Sequence, residues 1–313
     1  MLEFDHVCFQ YDTDAYPIMD QLSFQVQDGE FVCVIGASGC GKSTIFRLVN
    51  KLLSPDQGTI RINGNPIETQ KNYCGYMPQH DLLFPWRTVR ENIMLPLEIQ
   101  GGISKKEMEK QADEALASVG LSGWGQKSPR ELSGGMRQRA MIAMALSCNP
   151  KLLIADEPTT ALDVTIQAQI MDLLAEIKEK TSTAIILITH DLGVVASMAD
   201  RVAVMYAGKV VETGTCEDNF YRNAHPYTQA LLKSLPSVDM NKTQRLVSIP
   251  GTPPDLLNPP KGCGFGARCT HCMKICHEEQ PPVFKVGEGH EAACWLLHPD
   301  CPSAAERGEP DEQ

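Results

Sequence analysis

The stretch from Gly36 to Thr44 constrains this chain more than any other, because it combines three glycines with a Gly-Lys-Ser-Thr ending. It follows the apolar run 31–35 and precedes a helix-like segment. In such a loop, backbone N–H groups close around nucleotide phosphates, the lysine adds a positive charge and the serine offers a hydroxyl to Mg²⁺. The sequence therefore predicts a phosphate loop made of Gly36, Ala37, Ser38, Gly39, Cys40, Gly41, Lys42, Ser43 and Thr44.

The overall charge and the hydropathy pattern argue against nucleic acid as a partner and against a membrane-spanning segment. A formal charge of −11 over 313 residues argues against nucleic acid, which needs clustered basic side chains. No segment approaches the roughly 20 apolar residues that span a bilayer. The segment 1–5 also lacks the basic and apolar regions of a secretory signal. We expect a cytoplasmic protein that reaches a membrane only through a partner.

The order of predicted elements indicates an α/β fold. Up to about residue 235, short β-like runs alternate with amphipathic helices, which predicts a largely parallel sheet covered on both faces. The pattern becomes mainly helical at about 85–150. From 236 to 313, prolines and cysteines replace the apolar periodicity, which predicts an extension unable to bury much core by itself. The clearest strands are 31–35, 151–155 and 184–189.

Two of these strands end in residues suited to phosphate chemistry. The run 152–155 ends in Asp156 and Glu157. After a phosphate loop, the first acid can hold the Mg²⁺ shell, and the second can orient or deprotonate the water that attacks the γ-phosphate. The strand at 184–189 ends before His190. We expect this histidine at the same sheet edge, within reach of the γ-phosphate or the water.

A second candidate anion site opens the helix that begins with Ser133, Gly134 and Gly135. Exposed N–H groups and the positive end of the helix dipole favour an anion there. Because the chain already carries one phosphate loop, this second site is best explained by a nucleotide bound to another subunit.

Together and in this order, these four elements resemble the ATP-binding cassette (ABC) ATPases, and the resemblance covers residues 1 to about 235. It implies a P-loop NTPase (RecA-like) core, with the helical subdomain at about 85–150. It also implies that two cassettes close head to tail around ATP. Further site residues carried over by the resemblance are Tyr11 stacking on adenine, Gln79 sensing Mg²⁺ and the transmembrane partner, Asp163 in the loop that crosses the dimer interface, Glu157 as catalytic base and His190 as switch histidine.

For an importer, the resemblance implies several partners. These are two transmembrane permease subunits, a second ATPase subunit that is identical or related, and an extracytoplasmic solute-binding protein. The chain would then be a peripheral protein at the cytoplasmic face of the cell membrane. Mg²⁺ would be held by Ser43, Gln79 and Asp156.

Different parts of the chain resemble different branches of the family. The segments 132–139, 155–163 and 224–228, and the tail from 250, resemble ATPases of dipeptide, oligopeptide and nickel importers. The segment 81–92 is more similar to nitrate, taurine and sulfonate importers. We rank the peptide type first because the tail is the rarer feature. A soluble cassette protein of DNA repair or translation is a further alternative, although the chain shows neither a long coiled coil nor a second cassette.

Six of the twelve cysteines lie in the extension. Cys263, Cys269, Cys276 and Cys294 match the four-cysteine pattern at the end of peptide-type ATPases, where it resembles a 4Fe–4S ligand set. Zinc is the alternative, because Cys269 and Cys272 form a CxxC with histidines nearby. Unmetallated thiols are the third. We expect a metal to stabilise an extension that does not fold alone.

Overall fold

The computed structural model describes residues 1–12, 16–160, 162–234, 249–255 and 259–301. Its strands are β1 (Leu2–Phe9), β2 (Met19–Val26), β3 (Phe31–Gly36), β4 (Gln57–Ile62), β5 (Asn65–Pro66), β6 (Cys74–Met77), β7 (Leu152–Asp156), β8 (Ala184–Ile188), β9 (Arg201–Tyr206), β10 (Lys209–Thr215), β11 (Phe284–Gly287) and β12 (His290–Ala292). Its helices are α1 (Lys42–Val49), α2 (Val89–Gln100), α3 (Lys105–Ser118), α4 (Gly134–Leu146), α5 (Val164–Thr181), α6 (Leu192–Met198), α7 (Cys216–Tyr221), α8 (Pro226–Lys233) and α9 (Ile275–Glu278).

The main sheet of the described residues has eight strands in the order β11-β12-β10-β9-β3-β8-β7-β6. The run from β9 to β6 is parallel, whereas β10, β12 and β11 pair antiparallel. A separate antiparallel sheet has the order β2-β1-β4-β5. The predicted parallel sheet is therefore confirmed for its centre. The antiparallel strands are additional to it. The consecutive pairs β1–β2, β4–β5, β9–β10 and β11–β12 have no crossover helix between them and so pair antiparallel.

Both faces of the parallel run are buried, as a near-continuous apolar strand requires. In β3, Phe31, Cys33 and Ile35 join a core shared with helices α2 to α6. Val32 and Val34 point to the other face and join α1 and the antiparallel sheet. The predicted strands at 31–35, 151–155 and 184–189 are confirmed to within one residue. The predicted helical region at 85–150 contains α2, α3 and α4.

The extension joins the sheet of the preceding region through β12, which pairs with β10. A buried hydrogen bond crosses this junction: His290 Nε2 lies 2.9 Å from Glu212 Oε1, and the two side chains are 3% and 0% exposed. Glu212 also accepts hydrogen bonds from the N–H groups of Ala224 at 2.6 Å and His225 at 3.1 Å. The domain boundary predicted near residue 235 stays a prediction. Strand β12 of the extension belongs to the same sheet as β10, which lies before that boundary.

Glu212→Ala is expected to lower the free energy of unfolding by about 3 kcal/mol, because it leaves an imidazole and two backbone N–H groups buried without their acceptor. Chemical denaturation of the full chain measures this loss. The matched control is Glu217→Ala, since Glu217 is 71% exposed and pairs with Arg222 at 3.5 Å. An exposed pair is worth about 0–1 kcal/mol. Equal losses in the two variants would contradict a structural role for the Glu212–His290 pair.

Within the described part of the chain, no helix is both long and apolar enough to cross a bilayer.

Candidate active site

Four neighbouring parallel strands bring the predicted site residues to one sheet edge. Strands β3, β8, β7 and β6 are neighbours in the main sheet, in that order. The phosphate loop leaves the carboxyl end of β3, His190 follows β8, Asp156 ends β7 and Gln79 follows β6. Ligands of open α/β sheets bind outside the carboxyl ends of such strands. The expectation that these residues share one edge is confirmed.

The phosphate loop is shaped by its glycines and by its own lysine. Gly36 has φ 154°, and a Cβ added there would lie 2.2 Å from the carbonyl oxygen of Met205, so only glycine fits. Lys42 Nζ donates to the carbonyls of Gly36 and Ala37, both at 2.8 Å. The ammonium group thus holds the start of the loop. Ser43 is exposed, while Thr44 is buried.

Three side chains converge on the carboxylate of Glu157. Gln79 Nε2 donates to Oε2 at 2.8 Å, and the Thr160 hydroxyl donates to the same oxygen at 3.1 Å. His190 Nδ1 lies 3.3 Å from Oε1. Gln79 and His190, which the sequence analysis assigned separately, therefore both contact Glu157. Thr160 was missed, because a hydroxyl within an acidic turn carries no signal of its own.

The backbone of Glu157 has an unfavourable conformation. Its φ of 47° is left-handed, which costs a non-glycine residue about 1–3 kcal/mol. The Glu157 N–H donates to the carbonyl of Ile188 at 2.9 Å, which fixes the turn against β8. Strained backbone conformations of this kind occur mainly at functional sites, where the surrounding structure holds them in place.

Asp156 has the environment of a cation ligand. Burial, and next the adjacent Glu157, raise the pKa of its carboxyl, while the Lys42 charge lowers it. A divalent cation would favour the ionised form. The oxygen donors of Asp156, Ser43 and Gln79 are of the type that Mg²⁺ takes, and Mg²⁺ would supply charge neutralisation at nucleotide phosphates.

Tyr11 lies against the first turn of α1. Its hydroxyl is 3.4 Å from Thr44 Oγ1 and accepts a hydrogen bond from Arg47 at 3.1 Å. The ring meets Phe9 edge-on, with centroids 4.8 Å apart. The aromatic ring predicted to stack on adenine is thus placed beside the phosphate loop, and its role stays a prediction.

The second predicted anion site is the amino end of α4. Ser133 caps this helix by accepting from the Met136 N–H at 3.3 Å. A Cβ on Gly135 would lie 2.7 Å from Ile166, so glycine allows α4 and α5 to pack closely. Asp163 caps α5 by accepting from the Ile166 N–H at 2.9 Å. Among the described residues, no hydrogen bond joins Ser133, Gly134 or Gly135 to the phosphate loop of the same copy.

The four predicted cysteine ligands come together. Cys263, Cys269, Cys276 and Cys294 line one small cavity of about 10 Å³, which leaves room for about one water molecule. Burial raises the pKa of Cys269 and Cys294 to about 12, so both thiols are protonated at neutral pH. In the part of the chain that the structure describes, no group of three or more His, Cys, Asp or Glu side chains is arranged to hold a metal ion. The predicted metal is therefore not confirmed.

Comparison with known proteins decides the family. The ABC transporter model matches residues 19–160, and the model of the oligopeptide/dipeptide transporter C-terminal region matches residues 211–276. The oligopeptide transport ATP-binding protein OppD of Bacillus subtilis is 46% identical over 90% of this chain and 84% of its own length. The chain belongs to the ABC transporter ATP-binding proteins. The dipeptide transport ATP-binding protein DppD of Lactococcus lactis is 45% identical over 95% of this chain and 90% of its own length.

Solved structures agree with this assignment. The dimeric ATP-binding cassette MJ0796 bound to ADP and Pi superposes with a TM-score of 0.62 at 30% identity, over 69% of this chain and 99% of that one. CbiO1 of Clostridium perfringens, part of an ABC transporter complex, gives 0.65 at 29% identity, over 70% and 90%. The P-loop NTPase fold predicted from the sequence is confirmed. This ABC protein is an ATPase, and ATP with Mg²⁺ fits its site.

Proposed function

We propose that this ABC ATPase powers an importer of dipeptides or oligopeptides. The observation that supports the solute class is the match of residues 211–276 to the C-terminal region of oligopeptide and dipeptide transporters. Relatives named for peptide transport align over about nine-tenths of the chain. The alternative, a nitrate, taurine or sulfonate importer, is supported by the segment 81–92. A non-transport cassette protein has less support still.

We propose roles for the catalytic residues from the contacts of Glu157. Its carboxylate is the base for the attacking water, and Gln79, Thr160 and His190 hold it in place at 2.8–3.3 Å. Because a general base must lie within hydrogen-bond reach of the proton it accepts, fixing the carboxylate favours the reaction. Lys42 and the loop N–H groups bind the phosphates. Ser43, Gln79 and Asp156 hold Mg²⁺.

We further propose that a second ATPase subunit, identical or related, completes each nucleotide site. Ser133, Gly134 and Gly135 offer a helix amino end that, among the residues described, forms no hydrogen bond with the phosphate loop of the same copy. The similar MJ0796 cassette is dimeric.

The permease subunits have a candidate contact surface after Gln79. Leu82, Phe84 and Trp86 are 56%, 36% and 76% exposed, and the two aromatic rings stack with centroids 4.9 Å apart. An exposed apolar group of this kind indicates a protein interface. We propose that it contacts two permease subunits at the cytoplasmic face of the membrane, which makes the chain a peripheral subunit. A separate extracytoplasmic binding protein would select the solute.

Uptake by the assembled transporter tests the solute class. We expect the tagged chain to co-purify with two multispanning subunits. Membrane vesicles containing them, with their binding protein, should take up a labelled di- or oligopeptide in an ATP-dependent way. Labelled nitrate and taurine are the matched comparisons. Uptake of nitrate or taurine without peptide uptake would contradict the proposal, as would a persistently soluble homodimer with no membrane partner.

We also propose that the four converging cysteines hold a metal centre, with a 4Fe–4S cluster ahead of zinc. The support is the lining of one space by Cys263, Cys269, Cys276 and Cys294. Four thiolates complete the ligand set of such a cluster. Anaerobic purification should yield brown protein with visible absorbance and equal amounts of iron and sulfide. Colourless, iron-free protein with tightly bound zinc would overturn the cluster in favour of zinc, and metal-free protein would overturn both.

A further inference from the structure

One contact at the phosphate loop comes from a distant part of the chain. The hydroxyl of Tyr227, on α8, accepts a hydrogen bond from the Ala37 N–H at 3.0 Å, although the two residues lie 190 positions apart. The carbonyl of Gly36, which belongs to the same peptide group as the Ala37 N–H, meanwhile accepts from Lys42 at 2.8 Å. The peptide group at the start of the loop is therefore held on both sides, by the loop lysine and by α8.

The side chain of Tyr227 is fixed by other buried rings. It is 1% exposed, and its centroid lies 4.5 Å from that of Tyr206 and 5.4 Å from that of Phe265. The His225 side chain accepts from the Tyr227 N–H at 3.0 Å and so fixes the first turn of α8. Burial raises the pKa of Tyr227 to about 12, so the hydroxyl stays neutral across the physiological range.

Two residues that hold this ring cluster belong to the extension. Phe265 packs edge-on against Tyr206, with centroids 5.3 Å apart. Arg268 donates to the Tyr206 hydroxyl at 3.1 Å and to the carbonyls of Ile249 at 3.1 Å and Pro250 at 2.8 Å. Farther along, Pro253, Pro254 and Asp255 face residues 37–40 across a cavity of about 320 Å³. The extension therefore covers the rings that support the loop and also flanks the loop itself.

We infer that Tyr227 is a positioning residue for the phosphate loop, and that it ties nucleotide affinity to the docking of the Cys-rich extension. A loop that binds phosphate through backbone N–H groups binds more tightly when its peptides are already oriented, because less ordering is needed on binding. Tyr227 acts through the Ala37 peptide. The inference depends on the ATPase site, not on which solute is transported.

Nucleotide binding to the full-length Tyr227→Phe variant tests the inference. The substitution keeps the ring and removes only the hydroxyl. We expect the Kd for MgATP, measured by calorimetry, to rise about five-fold, equivalent to about 1 kcal/mol. The KM for ATP of the assembled transporter should rise similarly, with kcat changed less than about two-fold. A purely structural tyrosine would lower the melting temperature without this separation of KM from kcat.

Tyr73→Phe is the matched control. Tyr73 is also buried, and its hydroxyl donates to a backbone carbonyl, that of Val49, at the far end of α1. We expect this variant to lose comparable stability and to keep the wild-type Kd. An unchanged Kd in Tyr227→Phe, or an equal rise in both variants, would overturn the inference.

The link to the extension is tested by Phe265→Leu in two backgrounds. In the wild-type chain, we expect the Kd for MgATP to rise about three-fold, because the rings that fix Tyr227 loosen. In the Tyr227→Phe background, the same substitution should add nothing, since the hydroxyl through which it acts is gone. Equal rises in both backgrounds would overturn the link. These measurements use nucleotide and not peptide. The inference about Tyr227 can therefore be wrong while the proposed solute class is right, and the solute class can be wrong while the inference is right.

Discussion

Replacing Glu157 with glutamine is expected to leave MgATP bound while slowing its hydrolysis by about 1,000-fold. General-base catalysis contributes roughly 10²–10⁴-fold, and the amide of glutamine cannot take the proton of the attacking water. The same amide keeps the size of the side chain and an oxygen that can accept from Gln79 and Thr160, so the site should stay assembled. Phosphate release in single-turnover experiments measures the loss. ATP should accumulate in a stable dimer.

The control for this substitution is Glu179→Gln, which removes an equal charge from an exposed position on α5. Its hydrolysis rate should equal that of the wild type. Wild-type turnover by Glu157→Gln would remove Glu157 from its role as base, whatever the effect on dimerisation.

Lys42→Ala is expected to raise the Kd for MgATP by about 100-fold, or about 3 kcal/mol. Two effects combine in this variant. The phosphates lose a charge-assisted hydrogen bond, and the carbonyls of Gly36 and Ala37 lose the ammonium group that holds them at 2.8 Å. Calorimetric titration of the full chain measures the change, and hydrolysis should be lost with binding.

Lys51→Ala is the matched control because it removes the same charge just beyond α1. Lys51 Nζ donates to the carbonyl of Gln70 at 2.7 Å and lies 5.2 Å from the centre of the Tyr73 ring. We expect its Kd for MgATP to change less than about two-fold. If the two lysine variants bind MgATP equally well, the loop is not the phosphate site.

The sequence predicted those parts of the site whose signal is local. The run 31–35 and the glycines after it lie in consecutive positions, so a strand and a phosphate loop follow directly from residue type. Asp156, Glu157 and His190 each follow an apolar run, and parallel strands place their carboxyl ends at one edge. What could not be predicted was the contact of Gln79 and Thr160 with one carboxylate, because side-chain convergence depends on three-dimensional packing.

The contacts of the extension with the rest of the chain could not be predicted from the sequence. Its weak apolar periodicity indicated a small appendage. The sequence around Phe265 and His290 does not show that these side chains contact residues far away in the same chain. In the structure, Phe265 is 2% exposed, and His290 pairs with Glu212 across 78 positions. Tyr227 reaches the phosphate loop from still farther away. The contact between His290 and Glu212 arises because β12 pairs with β10, a strand formed far earlier in the chain.

We expect each ATP to be bound between the phosphate loop of one subunit and the Ser133 helix of another. The most direct measurement is a structure of the assembled transporter carrying Glu157→Gln with MgATP bound. We predict that the γ-phosphate lies beside Lys42. The Ser133 side chain or the Gly135 N–H of the facing subunit, or the equivalent group of a related subunit, should lie about 3 Å from a phosphate oxygen. ATP bound by Lys42 alone, with every Ser133-type helix remote from phosphate, would contradict it.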